Sequence, residues 1–462
     1  MKINLLNFWD RLNGSFWFVP MVMASGAIAL AYGTIALDEA ATGPWLQAQS
    51  WAYTGSAEGA SAMLETIAGS MITIAGVVFS MTLVTLALAS SQLGPRLLRS
   101  FMTDKATQIV LGTFVATFLY SLFVLRAIRR VEEHLFVPHL SVTFGVLFAV
   151  ASLGVLVYFI HHVAISIQAD NVVARVGAEL VEQIDNVFPE TIGPGAHADA
   201  ILPEAFARDS SPIGAAEDGY VQLIDDDALL ALAVEEDLIL RVERRVGHFV
   251  VKGSSLAWVW PGSRVQDRTK AKINAAFVVG QQRTPVQDVE FTVNQLVEIA
   301  VRALSPGVND PFTAVACVDR LGAALSRLAQ REMPPPCRHD RDNKPRVITP
   351  ATTFTDFADA ALNQVRQHAR SSAAVTIRLL ETIAVAAESA RRPDDRAALR
   401  RHAEMIARGS LEGLPEQEDR ATVEARFQIA MRALDRNADL NHLADRPAKV
   451  QRSPGAAAAP LS

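Results

Sequence analysis

Four uninterrupted apolar stretches, each long enough to cross a bilayer, fill the first third of the chain and dictate most of what it can fold into. A hydrocarbon core calls for about 20 apolar residues as helix, because backbone entering lipid must satisfy its own hydrogen bonds. Residues 16–37, 63–89, 109–125 and 142–160 meet that requirement, the third at the short limit. Charge divides the chain at the same place. Residues 1–165 hold 8 Lys+Arg and 8 Asp+Glu, against 35 and 41 in the rest. The hydrophobic fraction of 50% therefore averages over an apolar part and a polar one. The expected fold is mainly α: a four-helix transmembrane domain followed by a cytoplasmic α+β domain, made of a small β-module and a helical region.

The first stretch has the basic flank of a signal peptide and an Ala29-Leu30-Ala31 triplet suited to cleavage, yet it runs on to Leu37, the length of a span. Trp9, Trp17 and Trp45 flank it as an interfacial belt would. Basic residues are retained on the cytoplasmic side of short loops. Lys2 and Arg11 precede the first span, residues 38–60 carry no Lys or Arg, and Arg96, Arg99 and Lys105 follow the second. This pattern predicts that both termini are cytoplasmic. Arg126, Arg129 and Arg130 run against it on the outer side, partly offset by Glu132 and Glu133.

The second span has an ordered polar face. Thr66, Thr73 and Ser80 recur every seven residues, with Gly69 and Gly76 on an adjacent stripe. Small and hydroxyl residues are what helix interfaces in lipid use, and the same stripe repeated in several copies would line a pore. Glu65 and Arg126 fall at one membrane face and are expected to pair or to reach the interface separately. With Arg129 and Arg130, Arg126 would favour anions at a pore mouth.

Beyond the spans, residues 166–218 read as an amphipathic helical stalk (Val172, Val173, Val176, Leu180, Ile184, Val187) and a Pro/Gly/Ala/Ser-rich linker. Residues 219–262 show period-two alternation and form the expected β-module. Asp225-Asp226-Asp227 between its first strands suits a helix cap better than a cation site. Residues 263–435 are expected to be helical, and 436–462 a disordered tail. Within the helical part, Ser305, Pro306, Gly307, Asn309, Asp310 and Pro311 form a corner: one helix ends at Ser-Pro-Gly and the next opens with Asp as N-cap and Pro at its first position. The corner reads as a rigid turn or as an exposed contact. Residues 331–350 read as a charged, Pro-rich loop, whose Cys337, His339, Asp340 and Asp342 lack a second cluster to complete a metal site.

Three segments, Ala303 to Pro311, Ser91 to Arg96 and Arg366 to Glu381, resemble a bacterial family of predicted membrane proteins known as domain of unknown function 2254. The resemblance spans nearly the whole chain and is most specific at the Ser-Pro-Gly-Val-Asn-Asp-Pro corner. It implies a bacterial inner-membrane protein with a cytoplasmic helical domain, and brings no reaction, substrate or catalytic residue with it.

The net charge of −6 excludes a phosphate-seeking nucleic-acid surface. Two cysteines, Cys317 and Cys337, offer no disulfide framework. Neither a phosphate loop, a nucleophile elbow nor a zinc-protease motif appears, so an enzyme is not expected, nor a cofactor or metal. Two functional readings stand: an oligomeric ion-conducting pore, anion-selective by its arginines, with a cytoplasmic regulatory domain; or a membrane-anchored sensor or scaffold whose cytoplasmic domain binds a partner or small ligand. The expected partners are the lipid bilayer and further copies of the chain, with a small ion or a cytoplasmic ligand.

Overall fold

Helices in lipid are fixed by length and by their packing faces, and both can be read in the computed structural model, which describes residues 15–40, 55–94, 102, 104–129, 136–191 and 202–444. Four apolar helices emerge: α1 (Phe18–Ala40), α2 (Ala57–Leu93), α3 (Lys105–Ala127) and α4 (His139–Ser166), each long and apolar enough to cross a membrane. The third is longer than its apolar run suggested. Lys105 to Gln108 form a polar first turn, started by Asp104, whose carboxylate accepts the Thr107 amide. α3 is the most buried of the four and packs on the other three.

Two glycines set the closest approaches. A methyl group on Gly112 of α3 would meet Met23 Sδ at 2.5 Å and the Pro20 backbone at 3.3 Å, and one on Gly145 of α4 would meet Leu64 at 3.0 Å. These are the small residues that let the helices close, whereas Gly69 and Gly76, expected in that role, meet nothing within 4 Å. The interior is filled by two apolar clusters. One joins Ala31, Leu64, Tyr120, Val124 and Val142, and the other Met71, Val78, Phe114, Phe159 and Val163.

The polar part is a second compact unit, residues 173–462. Helix α5 (Ala169–Val187) supplies the expected amphipathic stalk, and from Val173 onward its apolar face is buried within this unit. Asp185 accepts from Arg327 Nε and Arg331 Nη2, both at 2.6 Å, and Thr292 donates to Gln183 at 2.7 Å. The stalk is therefore part of the polar unit's packing.

The β-module is larger than its sequence suggested. Strands β1 (Ser211–Gly214), β5 (Ser255–Trp260), β3 (Ile239–Val242), β8 (Pro345–Ile348) and β7 (Cys337–His339) make one sheet in that order. Strands β4 (Phe249–Val250), β2 (Gly219–Ile224) and β6 (Phe277–Gly280) make a second. All pairs are antiparallel except β3 with β8. Helices α6 (Asp226–Glu235) and α7 (Asp267–Ala275) cover them, and Val221, Leu229, Leu240, Val259, Ile273, Phe277 and Val347 share one core.

Residues 211–214, read as linker, 277–280, read as helical, and 337–339 and 345–348, read as loop, thus all belong to the sheets. The last was hidden by charge. Arg346 of β8 is buried, and its guanidinium is held by Asp340 at 2.7 Å and Asp237 at 2.8 Å. Arg264 and Arg346 together bring the Asp237 carboxyl down to about 2. A strand whose buried position is a paired arginine shows little of the alternation that marks strands.

The remainder is helical: α8 (Val289–Ala303), α9 (Pro311–Ala329), α10 (Phe354–His368), α11 (Ala373–Ser389), α12 (Pro393–Gly413) and α13 (Gln417–Ala444). The helix α13 continues to Ala444, past the expected start of the tail at 436, and residues 445–462 lie outside the described set.

Candidate functional site

Two groups of polar side chains stand out, one in each unit. Within the apolar helices, Asp38 in the last turn of α1 is 8% exposed. Its carboxylate accepts from the Leu140 amide at 3.0 Å, the Ser141 amide at 2.9 Å and the Ser141 hydroxyl at 2.7 Å. It thereby neutralises the open amides at the start of α4, where a negative charge also meets the positive end of the helix dipole. Tyr120 of α3, wholly buried, donates to Ser141 O at 3.1 Å and lies 3.0 Å from Thr34 Oγ1. This network ties α1, α3 and α4 together at one end of the bundle. Glu65 and Arg126 lie at the same end, on its exposed surface, so the buried charge there is Asp38 and not either of them.

The expected stripe on the second span is real as a face and turned away from the bundle. Leu64, Ala68, Met71, Ala75 and Val78 point inward, whereas Thr66, Gly69, Thr73, Gly76 and Ser80 are exposed. Thr66 and Thr73 donate to Ala62 O at 2.7 Å and Gly69 O at 2.8 Å on their own helix. Their hydroxyls are satisfied within α2 itself. Arg129 is exposed beside a backbone bridge to Phe136, and Arg130 lies outside the described residues.

The corner at Ser305 to Pro311 is accounted for by its own bonds. The Ser305 carbonyl accepts the amides of Val308 and Asn309, Asp310 N donates to Ala303 O at 2.8 Å, and Asp310 caps α9 through the Thr313 amide at 3.1 Å. Pro306 and Gly307 are exposed on the turn, Pro311 starts α9, and Asn309 adopts φ 49°, a left-handed conformation that Asn tolerates. What the sequence did not announce is the side chain that follows: Phe312 is 85% exposed.

In the polar unit the constellation is one that sequence reading missed. The turn from β3 to β4, the start of α8, strand β7 and the Pro334-Pro335-Pro336 segment enclose a cleft of about 730 Å³. That is the size of a small-molecule pocket. Four arginines line it. Arg283 grips Asp288 with two bonds of 2.7 and 2.8 Å and has Glu290 at 3.8 Å. Asp288 in turn caps α8 through the Phe291 amide. Arg245 bonds Asp356 at 3.0 Å, and Arg338 bonds Asp226 at 3.1 Å. The fourth, Arg244, differs. Its Nε donates to Ser255 O at 3.2 Å, and among the described residues no carboxylate pairs with its guanidinium.

Gly247 sits on this arrangement at φ 88°, where a methyl group would come within 2.5 Å of Asp288 Oδ2 and 2.8 Å of Arg283 Nη2. Only glycine fits, on both backbone and steric grounds. It is followed by His248, half-buried and facing the cleft, with Nδ1 3.5 Å from the Arg245 amide. Burial pushes the His248 pKa below its ordinary value, and Arg245, Arg244 and Arg283 push the same way against Glu290. The imidazole is thus neutral at neutral pH. The available signal in the sequence was the Arg244-Arg245 doublet two residues before a Gly-His pair in the turn between β3 and β4.

Elsewhere in the polar unit, Cys337 Sγ and His339 Nε2 lie 3.6 Å apart, while Asp340 is engaged by Arg346 and by the amides of Asp342 and Lys344. Burial raises the pKa of both Cys317 and Cys337, so the two thiols are held protonated.

Comparison with known proteins fixes the family. The family described as predicted membrane protein (DUF2254) matches residues 13–385. The chain belongs to this family. Its relatives include the uncharacterized proteins Rv1290c of Mycobacterium tuberculosis and Mb1321c of Mycobacterium bovis, each 31% identical over 90% of this chain and 80% of the relative. No solved structure matches it. The family match covers both the apolar helices and most of the polar unit, including every arginine of the cleft.

Proposed function

We propose that this DUF2254 member is a membrane-anchored receptor, in which four helices hold the chain in the inner membrane and the polar unit binds a small anionic ligand on the cytoplasmic side. The observation that carries the reading is Arg244. Three neighbouring guanidiniums are matched by carboxylates and give the cleft a fixed shape, while the fourth faces the cavity without one. A preorganised guanidinium with free donors suits phosphate, sulfate or carboxylate, which accept two parallel N–H bonds. His248 adds a donor that strengthens when protonated. The cytoplasmic placement is supported by the basic residues Lys2, Arg11, Arg96, Arg99 and Lys105.

The pH dependence follows from His248. In the free protein its proton affinity is depressed, so it is neutral; a bound anion raises that affinity, and binding takes up a proton. Affinity therefore grows as pH falls toward the depressed value that His248 has in the free protein. Titrating the full-length chain with sulfate, whose charge is constant over this range, should give saturable binding that is tighter at pH 6 than at pH 8. His248→Gln should flatten the profile. Binding that weakens on acidification would remove His248 from the site.

A second reading is supported by the outward stripe. In one chain the bundle interior is filled, so Thr66, Thr73 and Ser80 can line an aqueous path only where several copies bring their α2 helices together. Such a homo-oligomeric pore should conduct ions in liposomes, with flux cut severalfold by Thr73→Leu and Ser80→Leu. Absence of flux in every salt tested would end this reading and leave the stripe as a packing or lipid-facing surface.

A further inference from the structure

The end of the bundle opposite Asp38 holds a cavity of about 220 Å³, between the starts of α1 and α3, the later part of α2 and the end of α4. Its walls are apolar, chiefly Phe79, Leu83, Leu86, Met102 and Val163. For scale, a cavity of about 150 Å³ is enough to hold benzene. The hydroxyls that border it are already committed. Thr82 donates to Val78 O, Thr85 to Met81 O, Ser166 to Val163 O and Thr107 to the Asp104 carboxylate.

Asp104 is the exception. Its Oδ2 takes three donors: the Thr107 amide at 3.2 Å, the Thr107 hydroxyl at 2.6 Å and His162 Nε2 at 2.8 Å. His162 is itself steadied by a parallel stack on Tyr158 at 5.7 Å. Among the described residues nothing donates to Oδ1. The carboxylate is therefore held by one oxygen, and Asp104 lines a cavity whose other walls are apolar side chains and hydroxyls already committed elsewhere.

Among the described residues such a pocket offers no free donor and one charged acceptor. A carboxylic acid or phosphate would be repelled, and an alcohol would gain a single ordinary hydrogen bond. An ammonium on an alkyl chain matches both parts, placing charge on Asp104 and methylenes against the walls. We infer that this cavity is a binding site for a primary ammonium carried on an alkyl chain, the chemistry of an amphiphilic amine.

The test uses the full-length chain in phosphatidylcholine nanodiscs at pH 8, with radiolabelled octylamine measured above empty discs. Saturable octylamine binding is expected, with 1-octanol weaker by roughly tenfold or more because it lacks the charge. Asp104→Asn keeps a good helix cap, and should weaken octylamine to the level of octanol while leaving octanol unchanged. Leu83→Trp places its bulk in the cavity from a position that is already 49% exposed, and should abolish binding of both probes. The inference is overturned if octylamine shows no saturable binding, if octanol binds equally well, or if Asp104→Asn binds octylamine like the parent chain.

Discussion

Asp38→Ala should destabilise the helical bundle by about 3 kcal/mol. The carboxylate serves three donors at once, two of them amides at the start of α4 that no intrahelical carbonyl can reach. Removing it leaves those amides unpaired in a nearly dry site, and the cost is larger there than at a wet surface. Asp38→Asn keeps an acceptor but not the charge, and should lose markedly less. Thermal unfolding of the detergent-solubilised chain, followed by circular dichroism, ranks the three proteins. An alanine variant that melts with the parent would show that the network at Ser141 and Tyr120 does not hold α4.

Asp38 also shows why a sequence finds spans more readily than it finds the bonds between them. Hydropathy placed the first span at 16–37, one residue short of the only carboxylate that the helix buries, because a transfer scale ends a span where charge begins. The helix itself runs to Ala40. The number of helices and the division into two parts were legible, since both depend on local composition. The inward face of α2 was not. A stripe of threonine and glycine and a stripe of leucine and methionine are both compatible with lipid, and only the position of α3 and α4 decides which turns in. The helix-closing glycines were equally hidden, for Gly112 and Gly145 sit singly in apolar runs while Gly69 and Gly76 make the more visible pattern.

The polar unit divides in the same way. Helix caps are local, and Asp225 and Asp310 accept the amides expected of them. Sheet membership is not local. Strand β8 joins the module from about a hundred residues away, carrying a buried arginine whose partners Asp237 and Asp340 lie on two other segments. The cleft compounds this, since its arginines come from the turn after β3, the segment before α8, and β7. No spacing rule joins Arg244, Arg283 and Arg338 before the fold does.

Arg244 is where the account of function is most exposed to test. Arg244→Gln leaves the three ion pairs that shape the cleft untouched and removes the unmatched charge together with one bond to the Ser255 carbonyl, so the fold should be kept while anion binding falls tenfold or more, consistent with the roughly 1.5–3 kcal/mol of a charge-assisted bond. The deciding measurement is calorimetric titration of the purified full-length chain and of this variant with inorganic pyrophosphate, in parallel with sulfate, at pH 6.5. The receptor reading predicts saturable binding to the parent chain and loss of most of that affinity in a variant that remains folded. It is contradicted if neither anion binds the parent chain, or if both bind the variant as tightly.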